Sequence, residues 1–584
     1  MKAPSDFIAM LPPTTSASAR AAHDEPFLVR NRACYEALVE FILRHAGRLG
    51  PEAVLGLIAE TAGLAAAHHP GRFADARLEN LVLQTGTELD ALIRHKGMVI
   101  DRLVPSDPAP SGRRQVLHVA TEVSGIGGHT RTIKNWALAD SGSVHSLVLT
   151  EQPGGAIPEW LARALADSGG RVIILPRGAH LLALIKWTRQ AAAGADLVVS
   201  HHFPGDVVTT AAFATPGGPP VAILNHADHV FWLGSSVADT ILNQRQIGLL
   251  TSESRRGARH NSLLPIPMHD CTKNVSQAAA RRALSIDSEW TVLLSIGRAM
   301  KYVPSPTHDF FRAARRILDH NARAHLYLVG VPTEFAERYM PGGAHERLHC
   351  MGWVEDPSLY QAAADVYLEG FPFGSQTAML EAAMAGLPAV PAFSPCSPLL
   401  ATSDEALDGV LATPVDEDDY VGRAGDLIAD PVARREIGGL CRRRVVSCHT
   451  DEGWRQLLSA FYDTVDALDH DPRPIAMTPS LATADDCGLS RFHAFAAPGV
   501  GWGNDPRPML VRVPIEASYA ARHVGDYRSS WRLLHAAGRT WGYDAKIAGA
   551  LVKMLPRGVI DALDGQRGRA RVHRALCTEG RAWT

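Results

Sequence analysis

The eight cysteines of this 584-residue chain are scattered, and no two form C-x-x-C. Neither a zinc ribbon nor a redox dithiol can be read, and free thiols fit a reducing compartment. No run approaches the ~20 apolar residues of a membrane-spanning helix. The first twenty residues lack the uninterrupted apolar core of a secretory signal. A long basic block is also absent and the net charge is −3, so nucleic acid is not expected as the main partner. These absences make a cytoplasmic protein without a transmembrane segment the expectation, with peripheral membrane contact left open.

What the chain does have is length and alternation. Its size calls for roughly three or four domains. Residues 1–24, rich in Ser, Thr, Pro and Ala, read as a disordered tail. Residues 25–112 read as an α-helical domain, because Ala37, Leu38, Phe41 and Ile42, then Val54, Leu55, Ile58 and Leu64, recur at helical spacing. Residues 113–270 and 285–468 each alternate short apolar runs with helical ones. The expected strands are 116–120, 146–150, 172–175, 197–200, 221–224 and 249–251, then 291–296, 324–329, 348–351, 366–368, 389–391 and 410–412. Such alternation builds two doubly wound parallel sheets. Ligands of these sheets sit beyond the carboxyl ends of the strands, which places a site in the cleft between the two. Residues 469–584 read as a linker and an accessory region without an assigned role.

The loops at those carboxyl ends carry the candidate chemistry. After the first strand, Gly125-Ile126-Gly127-Gly128-His129 leads into a helix. Its glycines suit close approach to a phosphate, although the run is not G-x-G-x-x-G. The fourth strand ends in His201-His202 and the fifth leads to His226-Ala227-Asp228-His229, all expected to point into the cleft. No helix with H-x-x-x-H or H-E-x-x-H spacing is expected, so acid–base work or hydroxyl recognition fits these residues better than a metal. In the second sheet Gly297-Arg298 and Lys301 follow a strand, where two cations suit a diphosphate. Gly352-Trp353-Val354 follows another, and Trp353 could clamp a flat base or pack in the core. The stretch from Asp365 to Val390 then reads as strand, polar loop, helix and strand. Ser375, Gln376 and Thr377 lead into a helix starting at Ala378, and Gly386 and Pro388 end it. A helix amino terminus suits an anion, and Glu381 lies one turn inside.

In this order the features resemble the GT-B glycosyltransferases: a glycine loop after the first strand of one sheet, G-R-x-x-K after the first strand of the next, then G-W-V and E-A-x-x-x-G-x-P-x-V. The resemblance spans roughly residues 115–468. The retaining, GT4-like loop E-G-F-G-x-P-x-x-E-A would have its second glutamate at Glu381 and its first at position 373, which is Phe373. The stretch F-P-F-G-S-Q-T (371–377) looks more like the donor loop of the O-GlcNAc-transferase and SPINDLY-like group. The resemblance implies an α/β GT-B fold of two facing Rossmann-like domains, with an N-terminal helical domain and a C-terminal extension. It implies glycosyl transfer from a nucleotide sugar, UDP- or GDP-linked, to a glycan, lipid-linked or protein acceptor, without a metal or other cofactor. Carried over by position, Gly127, Gly128, Arg298, Lys301, Ser375, Gln376, Thr377 and Glu381 would bind the donor. His129, His226, Asp228 and His229 are the candidates for catalysis. The stereochemical outcome stays open. The same fold also serves nucleotide-sugar 2-epimerases, and a non-catalytic sugar-nucleotide scaffold is the other alternative.

Overall fold

A computed structural model describes residues 25–103, 112–125, 128–269, 275–343, 345–393, 397–402, 404–476, 483–496 and 509–541. The expected tail at 1–24, Gly127, and residues 542–584 lie outside the described residues. Among the described residues no helix is long and apolar enough to cross a membrane.

The chain divides into two compact units. One combines the residues up to Phe73, Val230–Trp232 and those from Pro479 onward; the other holds Ala74–His229 and Leu233–Thr478. The first unit is helical. Helices Pro26–Leu49 and Pro51–Ala67 are separated by Gly50, whose φ of +76° and the proline that follows make the break. Helices Ala484–Ala496, Met509–His523 and Tyr527–Trp541 pack with them. Two buried histidines tie the chain ends together: His69 lies 2.7 Å from Asp486, and His45 lies 2.7 Å from Asp526. The helical segment read over 25–112 is thus shared out, because helices Ala76–Thr87 and Leu89–His95 cluster with the sheets.

The second unit contains two all-parallel sheets, the GT-B arrangement expected from the motifs. The first has seven strands in the order β3-β2-β1-β4-β5-β6-β7. They are β1 (Arg114–Ala120), β2 (Ser143–Leu149), β3 (Val172–Ile174), β4 (Leu197–His201), β5 (Val221–Asn225), β6 (Thr240–Asn243) and β7 (Asn261–Leu263). The second has five in the order β10-β9-β8-β11-β12. These are β8 (Thr291–Ile296), β9 (Ala324–Val329), β10 (Leu348–Gly352), β11 (Val366–Leu368) and β12 (Ala389–Val390). Helices cover both faces, which is why the central strands read as continuous apolar runs rather than alternating ones.

Two expected strands are not strands. Residues 249–251 lie inside helix Gln246–Arg255, where Gly248, Thr251 and Ser252 form the buried side, and β6 and β7 flank that helix. Residues 410–412 form no strand; Val410 and Leu411 instead lie against the core of the second sheet. That sheet's other face packs helix Phe310–His320 through Phe310, Phe311, Ile317 and Leu318, all fully buried. Burial of each such side chain contributes roughly 1.5–3 kcal/mol, and the Asp309 carboxylate starts the helix by accepting from the Arg312 N–H at 3.1 Å. Near its end the unit's chain returns to the first sheet. Helix Asp451–Asp466 places Trp454, Leu458, Phe461 and Val465 against Val116, Trp136 and Leu197.

Candidate active site

Residues of both sheets line one cavity of about 650 Å³ at the carboxyl ends of their strands. From the first sheet come Gly128, His129, Arg131, His226, Asp228, His229 and Arg245; from the second come Arg298, Lys301, Ser375, Gln376, Thr377 and Glu381. Apart from Gly127, every residue singled out for donor binding or catalysis therefore lines one space.

On the first-sheet side, helix Gly128–Ala139 opens directly onto the second sheet. A Cβ at Gly128 would sit 3.3 Å from the Thr377 hydroxyl. His129 Nε2 lies 3.1 Å from the carbonyl of Glu122 and donates to it, so Nδ1 holds the lone pair. His226 is reversed: Nδ1 donates to the carbonyl of Leu224 at 3.2 Å, and Nε2 holds the lone pair. The two rings are 5.5 Å apart. Burial, then the neighbouring His129, pushes His226 down to about 3. Burial is likewise the main cause that lowers His129 and His229. All three imidazoles are thus held neutral. Asp228 has another partner. Arg245 reaches its carboxylate through Nη2 at 2.6 Å and Nε at 2.9 Å, and Arg256 Nη2 takes its backbone carbonyl at 3.0 Å. Burial opposes ionisation of Asp228, but Arg245 and His229 outweigh it and bring the carboxyl to about 2.

The structure corrects the placement of two histidines. His201 and His202 do not face the cavity. His201 is fully buried in the sheet, and His202 is held by the Ser200 hydroxyl at 2.6 Å and the Leu233 carbonyl.

On the second-sheet side, Gly297 ends β8 where a Cβ would meet Ser375 Oγ at 2.9 Å and the Tyr302 ring at 3.0 Å. Exposed Arg298 follows, and a 3-10 turn, Ala299–Tyr302, presents Lys301. Lys301 Nζ donates to the Gly374 carbonyl at 2.7 Å and lies 4.4 Å from the centre of the Phe373 ring. Burial, partly offset by Glu369, lowers the lysine to about 8. Phe373, at the position of the absent first glutamate, also packs against His229 with ring centres 4.7 Å apart. Glu369 lies behind this loop and is fully buried. It accepts from the Ser375 N–H and from the Thr402 hydroxyl at 2.8 Å. A Cβ at Gly374 would run into that hydroxyl, so the loop closes only on glycine.

Helix Gln376–Met384 begins two residues earlier than expected and ends as expected, with Gly386 at φ +84°. Gln376 donates to Asp404 at 3.1 Å; Asp404 lies 3.0 Å from His449 Nε2, and His449 Nδ1 donates to the Ile266 carbonyl at 2.9 Å. Glu381 Oε1 is paired with Arg131 at 2.7 Å, an ion pair from one sheet to the other, and Oε2 takes a 3.4 Å contact from Gln361. Burial raises the Glu381 carboxyl, and Arg131 partly offsets that. Beyond this pair a second cavity of about 970 Å³ opens, with Trp160 and Trp353 in its wall. Trp353 is 63% exposed, which rules out core packing for it.

Sequence reasoning gave no role to Arg131, Arg245, Glu369 or Asp404. Position at a strand end was the available signal for Glu369; the others are set by partners distant in sequence. It also passed over His345-Glu346-Arg347-Leu348-His349, which has the H-E-x-x-H spacing. A turn and β10 carry it, so its histidines part company. His349 Nε2 lies 3.0 Å from His325 Nδ1, and His345 Nε2 lies 3.3 Å from Asp319. Among the described residues no group of three His, Cys, Asp or Glu side chains is arranged to hold a metal ion.

The loops just described after β8 and β11 fall within one stretch that is similar to a family model. Residues 291–430 match the family model of glycosyl transferases group 1. The matched segment contains Arg298, Lys301, the loop 371–377 and Glu381, so the resemblance read from the motifs is met across the second sheet. The histidines of the first sheet lie outside it. No curated protein matches the chain by sequence. Solved structures similar in fold include Anabaena HepE in complex with UDP and glucose, 16% identical, with 61% of this chain and 100% of that one covered at a TM-score of 0.47. A mutant O-GlcNAc transferase of Thermobaculum terrenum is 18% identical, with 80% and 98% covered at 0.44. Sucrose-phosphate synthase of Thermosynechococcus elongatus is 15% identical, with 61% and 100% covered at 0.45.

Proposed function

We propose that the chain is a glycosyltransferase that moves a sugar from a nucleotide-sugar donor to an acceptor hydroxyl in the cavity between the two sheets. The observation that carries this reading is the convergence on one cavity of Arg298, Lys301 and the amino end of helix Gln376–Met384. Departure of the donor's diphosphate develops negative charge, and preorganised cations with helix-end N–H groups stabilise that charge without needing a metal. Opposite them, His129 and His226 offer neutral imidazole nitrogens with lone pairs, the form a general base requires. Asp228, committed to Arg245, positions this loop rather than taking a proton. Glu381 is the residue assigned to the ribose hydroxyls.

A thermal-shift screen of UDP-, GDP-, ADP- and CMP-sugars tests the donor class. A true donor at 100 times its Kd stabilises the folded state by about 2.7 kcal/mol. A flat response to all four classes would remove the reading.

The Arg131–Glu381 pair makes a further demand. Both side chains are partly exposed, at 36% and 20%, so the pair is worth at most about 1 kcal/mol. If Glu381 accepts from the ribose, Arg131 competes with it for the carboxylate. Glu381→Ala is expected to weaken nucleotide binding about tenfold, the value of a charge-assisted hydrogen bond. Arg131→Ala is expected to tighten it by up to about fivefold. Calorimetric titration of both variants with the nucleotide found in the screen measures this. Equal weakening in both would show that Arg131 contacts the donor itself.

A further inference from the structure

The first sheet reaches the donor loop through a guanidinium. Arg245 stands at the carboxyl end of β6, one position before helix Gln246–Arg255. Its side chain is 9% exposed, and that of its partner Asp228, on the loop after β5, is 10% exposed. Nε lies 2.9 Å from one carboxylate oxygen and Nη2 lies 2.7 Å from the other. Nη2 also donates to the Leu399 carbonyl at 3.0 Å, and Nη1 donates to the Ala401 carbonyl. Those two carbonyls belong to the second sheet's side of the cavity. The chain reaches them after β12, through the 3-10 turn Pro398–Leu400, which the Ser397 hydroxyl begins by accepting from the Leu399 N–H at 3.3 Å. Arginine suits this place, because its planar fork serves a carboxylate and two carbonyls at once, whereas lysine has one nitrogen.

The same short segment carries the donor loop. The Leu400 carbonyl, between the two that Arg245 takes, accepts from the Gly374 N–H at 2.9 Å. The Thr402 hydroxyl donates to Glu369 at 2.8 Å, and the same Glu369 oxygen accepts from the Ser375 N–H. Packing leaves no slack here: a Cβ at Gly374 would lie 2.9 Å from the Thr402 backbone nitrogen. Gly374 in turn fixes Lys301, whose ammonium donates to its carbonyl at 2.7 Å. Every link from Asp228 to Lys301 is therefore a hydrogen bond or a short piece of backbone. Arg245, Ala401, Thr402, Gly374, Ser375 and Lys301 all line the one cavity.

We propose that Arg245 is a positioning residue for nucleotide binding. From the first sheet it holds the 399–402 segment, and through that segment it sets the backbone of Gly374 and Ser375. The inference rests on the glycosyl-transfer reading for the identity of the ligand. It gives one cation a hold on both halves of the site. On one side Asp228 anchors the loop that carries His226 and His229. On the other the donor loop hangs from the same guanidinium. A working site needs such halves in register to within about 0.5 Å, and Arg245 gives them a common frame.

A double-mutant cycle of Arg245→Lys and Thr402→Val in the full chain, titrated calorimetrically with UDP, GDP, ADP and CMP, tests this. Lysine keeps a countercharge for Asp228 but cannot bridge to both carbonyls; the pair Asp228→Asn with Arg245→Met, which removes both charges together, serves where it does not fold. Each single variant is expected to weaken nucleotide binding roughly three- to tenfold, the net worth of a hydrogen bond. The double variant is expected to lose little more than the weaker-binding single one, because both act through one segment. Losses that multiply, or unchanged affinity in Arg245→Lys, overturn the proposal. Hydrogen exchange of the ligand-free protein gives a second readout. Peptides covering 373–376 are expected to exchange faster in Arg245→Lys, while those of β1 and β9 keep their wild-type rates. Unchanged exchange at 373–376, or a rise spread over both sheets, overturns the positioning role. If none of the four nucleotides binds wild type, the glycosyl-transfer reading fails, and the exchange at 373–376 still decides whether Arg245 sets the loop.

Discussion

Replacing Lys301 with alanine is expected to lower the rate of sugar transfer by about 10²–10³-fold, the loss found when one preorganised donor to a developing oxyanion is removed. The geometry explains the size. The ammonium is buried and fixed by the Gly374 carbonyl, so it needs no rearrangement to meet the leaving diphosphate. Its low-dielectric setting strengthens that interaction compared with a lysine in water. The thermal midpoint is expected to fall as well, because Lys301 is the counter-charge of buried Glu369, so the rates are compared at a temperature where circular dichroism shows the variant folded. A variant with wild-type activity would remove the diphosphate assignment.

The same burial predicts a pH limit. Lys301 in the free enzyme has its pKa lowered to about 8, so the charge is present below that pH and lost above it. kcat/KM for the donor should fall through about pH 8 on the alkaline side. Lys301→Arg should move the limb upward, since guanidinium stays charged. An unchanged limb in that variant would assign it to another group.

The second large effect concerns stability. Glu369→Ala is expected to cost about 3–5 kcal/mol, the penalty for removing one member of a buried charged network. The Ser375 N–H, the Thr402 hydroxyl and the Lys301 charge would each lose an acceptor or counter-charge. Glu369→Gln keeps one carbonyl oxygen for the two hydrogen bonds and should cost far less. Denaturant unfolding followed through the second sheet measures both. Because the lost bonds shape the loop at 374–377, the alanine variant should also lose nucleotide affinity where it still folds. An unfolding midpoint equal to wild type would show that the loop holds without Glu369.

Much of the second sheet could be read from the sequence in advance. The runs 291–296, 324–329 and 366–368 match β8, β9 and β11 residue for residue, because their β-branched and aromatic residues and the turn residues at their ends favour strand over helix. The motif residues at their ends follow from that register, and so the donor side of the cavity was legible. His201 was misplaced for a specific reason. In a parallel sheet covered on both faces, hydrophobic alternation does not say which parity points where. Only pairing with Ala120 shows that His201 continues the face of His118. Leu249-Leu250-Thr251 was ambiguous in the way of any short, mostly apolar run, and the helix that contains it, Gln246–Arg255, overrode the local preference. Nor could the sequence join the helices at the two ends of the chain. An amphipathic stripe states that a partner exists, not that it lies some 450 residues away, as Asp486 and Asp526 lie from His69 and His45 (|i−j| of 417 and 481).

The contact of Gln376 with Asp404 reaches further than the donor loop. The chain passes between the two sheets twice, around Ile266–Met268 and again at His449–Thr450, and these passages are bonded to each other. His449 donates to the Ile266 carbonyl, and its own carbonyl accepts from the Met268 N–H at 2.8 Å. Asp404 grips His449 with one oxygen and Gln376 with the other. A ligand that pulls on the amino end of helix Gln376–Met384 therefore acts on the two crossings that join the sheets. Thermodynamic reciprocity then applies: whatever nucleotide occupancy does to the stability of these crossings, a change made at the crossings must do to nucleotide affinity by the same factor.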